Sequence, residues 1–321
     1  MIINQWIVPV SLCLALFASR AIGAGTPTTP SLQKPAVAVA DAVHAPILAV
    51  THAGSRLVAV GDHGVILLSD DGGKHYRQAQ QVPTQALLTS LSFVDDRLGW
   101  AAGHDGVVLH SSDGGEHWTL QRENLDGDKP LFAIHFNNAR QGFAVGLFGN
   151  AIQTADGGAS WSPLAVETGD QTDHHLYGIF GDAANALYIA GEGGLLYRST
   201  DAGTSWSTIK TSNPGSFWAG LQLKDGRLLA VGQRGHVFTS DDAGASWDEV
   251  ASGTQQSLTG AGQLEDGRLL IVGLAGTTLE SRDGARTFTL HERADRAPLT
   301  AAAAVGTTAI LFGATGVLAP Q

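Results

Sequence analysis

A Gly-x-x-Gly pair recurs seven times along the chain, at Gly61/Gly64, Gly103/Gly106, Gly146/Gly149, Gly191/Gly194, Gly232/Gly235, Gly273/Gly276 and Gly313/Gly316. Successive pairs are 42, 43, 45, 41, 41 and 40 residues apart. In a sequence with 41 glycines one such pair carries no information, but the register around it does. Ten residues after the first Gly of each of the first six pairs stands an aspartate: Asp71, Asp113, Asp156, Asp201, Asp242 and Asp283. Two residues before each lies a hydroxyl side chain (Ser69, Ser111, Thr154, Ser199, Ser240, Ser281), and five beyond it an aromatic (Tyr76, Trp118, Trp161, Trp206, Trp247, Phe288). A period of about 40 to 45 residues rich in β-branched and aromatic runs is the signature of four-stranded propeller blades. In the second unit, 88–94, 99–103, 107–111 and 117–120 read as strands separated by Asp-Asp, Gly-x-x-Gly and Asp-Gly-Gly turns. The fold class expected is therefore all-β, a seven-bladed β-propeller over residues 36–321.

The Asp-centred element has a mechanical reading. Its carboxylate accepts hydrogen bonds from turn amides, glycine supplies positive φ, and the aromatic buries itself in the blade. The seventh unit ends on a third strand, 317–319, without its own aspartate. Ala36–Val43 (AVAVADAV) alternates small and apolar residues just before the first blade, so it is expected to supply the fourth strand of the last blade and close the ring.

Residues 7–18 (IVPVSLCLALFA) form an apolar run too short to span a bilayer, and small residues follow at Gly23-Ala24. They predict a cleaved leader over 1–24, export to the periplasm or an equivalent lumen, and a Thr/Pro-rich spacer over 25–35. The one cysteine, Cys13, falls in that leader, which excludes thiol chemistry from the mature chain. A formal charge of −11 argues against nucleic acid as a partner.

Runs such as Ser111-Ser112-Asp113-Gly114-Gly115-Glu116-His117-Trp118 are Asp-box, or BNR, repeats. Combined with second strands such as Gly99-Trp100-Ala101-Ala102-Gly103 and Gly142-Phe143-Ala144-Val145-Gly146, the chain resembles the photosystem II stability/assembly factor branch of these propellers over residues 40–321. That resemblance implies a non-enzymatic, monomeric platform for a membrane-protein client. It also implies that the box residues, Trp118, Trp161, Trp206 and Trp247 included, are structural. The Asp-box also occurs in sialidases and other glycoside hydrolases, which makes a sugar-cleaving enzyme the alternative. Such an enzyme needs convergent arginines, a Tyr nucleophile and an acid. Tyrosine is scarce here, only Tyr177 follows a loop, and six aspartates are committed to turns.

Function is expected between the paired glycines, where the frame repeats and the residues do not. The candidate partner-binding set is Asp62, His63, His104, Asp105, Leu147, Phe148, Glu192, Gln233 and Arg234. Asp62, His63, His104 and Asp105 offer metal-ligating side chains, as do Asp170, Asp173, His174 and His175. Neither group has zinc or calcium spacing, so no metal or cofactor is assigned. Phe217-Trp218 either caps the channel mouth or belongs to the core.

Overall fold

The computed structural model describes residues 34–124, 129–167, 173–182 and 186–318; the expected leader and residues 25–33 of the spacer lie outside them. Seven antiparallel sheets form a β-propeller, with every sheet a simple meander from inner to outer strand. The inner strands are Ile47–Ala53, Leu88–Phe93, Leu131–Phe136, Leu176–Asp182, Phe217–Gln222, Leu258–Gln263 and Leu299–Val305. Each packs on the next, and the seventh returns to the first. The second strand of each blade is nearly continuous apolar sequence because both of its faces are covered by neighbouring blades, as in Leu57–Val60 and Leu228–Val231.

The two glycines of each pair are needed for different reasons. A Cβ on Gly61 would lie 1.8 Å from the Pro46 carbonyl oxygen, so the first glycine lets the turn close onto the start of its own inner strand. Gly64 has φ +70°, and a Cβ there would meet the Thr84 carbonyl oxygen at 2.0 Å, so the second supplies both a left-handed conformation and a close approach to the next blade.

The Asp-box is a closed hydrogen-bond unit at the opposite end of the blade. In the second blade, Asp113 Oδ1 accepts from the Ser111 hydroxyl at 2.9 Å and from the His117 amide at 3.0 Å, while the Gly115 amide donates to Ser111 Oγ at 2.9 Å. The other carboxylate oxygen takes the side chain just before the aromatic. That residue is His75, His117, Ser160, Ser205, Ser246 or Thr287 in the six boxes, a fixed member of the motif that spacing alone does not reveal.

The second small residue of each box also rivets neighbouring blades. Gly115 sits on Val58 and Leu68 of the blade before it, Gly203 on Phe143, Gly244 on Tyr188, and Gly73 of the first blade on Ile310 of the last. In the sixth box Ala285 takes this place at φ +66° and packs in one cluster with Leu229.

Ring closure differs from the expectation. Among the described residues the last blade has three strands, and 36–43 pairs with none of them as a strand, although its end, Ala42 and Val43, packs on Phe312, Gly316 and Val317. Instead the segment straps the outer edge of the first blade. The Ala36 amide donates to the Val82 carbonyl at 2.9 Å and the Val39 amide to Gln78 Oε1 at 2.7 Å, while Gln85 Nε2 donates to the Pro35 carbonyl at 2.8 Å. The physical reason is local: Gln78 and Gln85 satisfy the backbone that a fourth strand would have paired, and the 3-10 turn Ala42–His44 redirects the chain into the first inner strand. Val37 and Val39 are left exposed, where a strand would have buried one face. The ring closes through inter-blade contacts. Thr300 Oγ1 donates to the Ile47 carbonyl at 2.5 Å, His52 Nε2 lies 2.8 Å from the Ala304 carbonyl, and Tyr76 packs edge-on against Phe312 at 6.3 Å.

Candidate partner-binding site

The residues between the paired glycines form one-turn 3-10 segments in the first six blades, Asp62–Gly64, His104–Gly106, Leu147–Gly149, Glu192–Gly194, Gln233–Gly235 and Leu274–Gly276. In each, the first amide donates to the carbonyl that precedes the inner strand of its own blade, as in Asp62 to Pro46 and Gln233 to Ser216. The second residue is left-handed: His63, Asp105, Phe148, Arg234 and Ala275 all have φ between +51° and +57°. A left-handed backbone at five side-chain-bearing residues is sparsely populated conformational space, held here by a frame pinned on both sides.

The face is not uniform. Asp62 Oδ2 and His63 Nδ1 lie 2.9 Å apart on the first turn, and His104 and Asp105 occupy the second. Leu147 lies beside Phe148 on the third, and Arg234 projects from the fifth, its amide donating to Ser257 Oγ at 3.3 Å. Phe148 is 64% exposed. Its amide donates to His175 Nδ1 at 3.1 Å, and its ring meets the imidazole edge-on at 4.8 Å. The His175 ring lies 6.0 Å from that of Tyr177, which stacks on Phe132 at 5.7 Å with the planes 7° apart. Glu192 closes the group, its Oε2 accepting from the His175 amide at 3.1 Å. Gln233 Oε1 accepts from the Ser216 amide at 3.2 Å on the fifth blade. Burial pushes the Tyr177 phenol up, and the nearby Glu192 carboxylate adds to the shift.

Of the nine candidates, Phe148 and Glu192 are thus brought together through His175 on the third and fourth blades, with Gln233 adjacent on the fifth. The other six stand on the same face within their own turns. His174 does not join His175 as a ligand; it pairs with Glu167 at 2.8 Å, a carboxylate that also takes the Tyr197 hydroxyl at 2.5 Å. Asp170 lies outside the described residues.

The residues that line the channel are not apparent from the glycine spacing. Each inner strand carries a β-bulge after its first residue, which in order around the ring places Leu48, Thr89, Phe132, Tyr177, Trp218, Thr259 and Thr300 around a central cavity of about 290 Å3. Each stands 13 or 14 residues before the first glycine of its pair, so an aligned repeat column would have exposed them. The Phe217-Trp218 alternatives divide: Phe217 is fully buried and Trp218 faces the channel.

The family model described as photosynthesis system II assembly factor YCF48 matches residues 45–123 and 119–296. No curated protein matches the sequence. Among solved structures, YCF48 bound to a D1 peptide superposes with a TM-score of 0.69 at 17% identity, covering 90% of this chain and 96% of that one. YCF48 from Cyanidioschyzon merolae gives 0.66 at 17% identity, over 86% and 94%. An ancestral GH74 enzyme gives 0.64 at 12% identity, over 90% of this chain but 46% of that one, a likeness of fold alone.

Proposed function

The chain belongs to the YCF48 family of photosynthesis system II assembly factors, and from that premise we propose that it is an exported, non-enzymatic platform that holds a segment of a membrane-protein client on its Gly-x-x-Gly face. The observation that carries this reading is the ladder Phe148, His175, Tyr177 and Phe132, which runs from an exposed ring on a left-handed turn to the channel mouth. An exposed aromatic on a rigid frame recognises a partner at low entropic cost, because few rotors are fixed on binding. Among the described residues, two of the four exposed large hydrophobics, Phe148 and Leu274, stand on these turns, and the other two are Val37 and Val39 on the strap. A relative solved with a D1 peptide bound supports a peptide segment as the kind of ligand. Catalysis has little to work with: the box carboxylates that make the sequence look hydrolase-like are all consumed in turn hydrogen bonds.

The test is capture of a membrane protein from detergent-solubilised native membranes by the full chain. Phe148→Ala combined with His175→Ala should reduce capture about tenfold or more, as loss of a central aromatic anchor does. Lys74→Ala, in the first Asp-box at the opposite end of the blade, should leave it intact. Undiminished capture by the double variant refutes the assignment.

A further inference from the structure

The channel mouth is chemically two-sided. On the second, sixth and seventh blades the bulge residue is threonine, and each hydroxyl is spent on the neighbouring blade: Thr89 donates to the Leu131 carbonyl at 2.8 Å, Thr259 to Leu299 at 2.9 Å and Thr300 to Ile47 at 2.5 Å. With Leu48 between them, this side presents methyl groups. The other side is an unbroken arc of Phe132, Tyr177 and Trp218 on the third, fourth and fifth blades. None of the described residues lining the cavity is charged.

Beside the arc the Glu192 carboxylate, near enough to Tyr177 to act on its phenol, is oriented by the His175 amide on Oε2. The His175 imidazole lies 3.8 Å from Glu192 Oε2, while Lys210, on an outer strand, bonds the Gly193 carbonyl and Arg234 projects from the fifth turn. A space of about 290 Å3 takes one long side chain and no folded element. Aromatic faces attract cations, an adjacent carboxylate adds a counter-charge, and a chain of formal charge −11 draws basic segments toward it.

We propose that the channel mouth seats one cationic side chain, an arginine or a lysine, presented by the client segment. Phe132, Tyr177 and Trp218 enclose it and Glu192 is its counter-ion. The proposal rests on the reading that this face holds a client, and adds the chemistry that face selects. Arginine is favoured over lysine because a planar guanidinium also stacks on the rings.

The experiment is calorimetric titration of the full chain with the peptide acetyl-Gly-Leu-Arg-Leu-Gly-amide and with its citrulline counterpart, which keeps the shape of the side chain but not its charge. The arginine peptide should bind about tenfold more tightly at low salt. Glu192→Gln and Trp218→Leu should each cut that preference at least about threefold, while Trp218→Phe, which keeps a ring face, should retain most of it. Circular dichroism establishes that each variant is folded. Equal affinity for the two peptides, binding of neither, or a preference that survives both substitutions overturns the proposal. Client capture by the unaltered chain that persists alongside any of those results leaves the platform reading standing, so the two readings fail separately.

Discussion

The indole N–H of the box aromatic provides a sharp test of how the boxes hold the blades together. Trp118 and Trp161 occupy the same motif position, and each meets a phenylalanine edge-on at nearly the same distance, Phe93 at 6.0 Å and Phe136 at 5.9 Å. They differ at nitrogen. Trp118 Nε1 donates to the Gly115 carbonyl at 2.8 Å inside a fully buried site, whereas Trp161 Nε1 is buried without a partner among the described residues. Replacing either by phenylalanine removes the same atoms, and because Trp118 is fully buried while Trp161 is half-buried, the area term also falls more heavily on Trp118. Trp118→Phe additionally loses a hydrogen bond worth about 1 kcal/mol and strands its acceptor, while Trp161→Phe removes a donor whose burial costs about 1 to 3 kcal/mol. Trp118→Phe should therefore be the less stable variant by about 2 to 4 kcal/mol. A folded unit of about 290 residues has an unfolding entropy near 0.6 kcal/mol/K, so the gap in thermal midpoint should be about 3 to 7 °C. Differential scanning calorimetry measures it, and urea midpoints at unchanged slope check it. Equal midpoints for the two variants, or a lower one for Trp161→Phe, would refute the hydrogen-bond account of the box.

Two further outcomes follow from the same frame. Thr259→Val and Thr300→Val remove equivalent inter-blade hydrogen bonds, one inside the ring and one at its closure, so each should cost about 1 kcal/mol by calorimetry. A much larger loss for Thr300→Val would mean that closure rests on more than this repeated contact. The side chains and amides of Ser160, Ser205 and Ser246 hold Asp156, Asp201 and Asp242 down to about 2. A depressed carboxylate pKa stabilises the fold fully above the unfolded value near 4 and loses that contribution as pH falls toward 2. The thermal midpoint should thus be insensitive to these groups above about pH 5 and drop between pH 4 and 2. The triple Asp→Asn variant should show a shallower drop in a circular dichroism pH series.

Much of the architecture was legible because propeller geometry repeats. Blade number, strand order and the end of the blade carrying each turn all follow from register alone, since every unit must solve the same packing problem. The strap over 36–43 was not legible, because Ala-Val alternation describes a strand without naming its partner, and the glutamines that capture it, Gln78 and Gln85, lie about 40 to 50 residues along the chain. The turn face was legible as a face. The ladder on it was not, because Phe148, His175, Tyr177 and Phe132 belong to different elements of two blades and only the packing of the fourth blade on the third brings them together. Glycine spacing points to backbone sites, whereas channel-lining side chains come from bulges whose extra residue breaks the strand alternation.

The bulge position also shows where the repeated frame departs from itself. Threonine there bonds the next blade, as at Thr89, Thr259 and Thr300. Phenylalanine and tryptophan on the third and fifth blades have no hydroxyl for that bond, tyrosine on the fourth carries its hydroxyl out to Ser216 of the fifth, and the three lie side by side rather than scattered around the ring. Their blades are joined instead by the Phe132–Tyr177 stack and by the close approach of Gly178 to Trp218, whose carbonyl oxygen lies 3.1 Å from where a Cβ on that glycine would stand. Three adjacent departures from an otherwise repeated stabilising contact, joined through His175 to the exposed ring of Phe148, are what the proposed recognition site would cost a symmetric fold. A client held as proposed would reach the mouth from the arc of blades three to five, inward along the ladder, toward the channel axis.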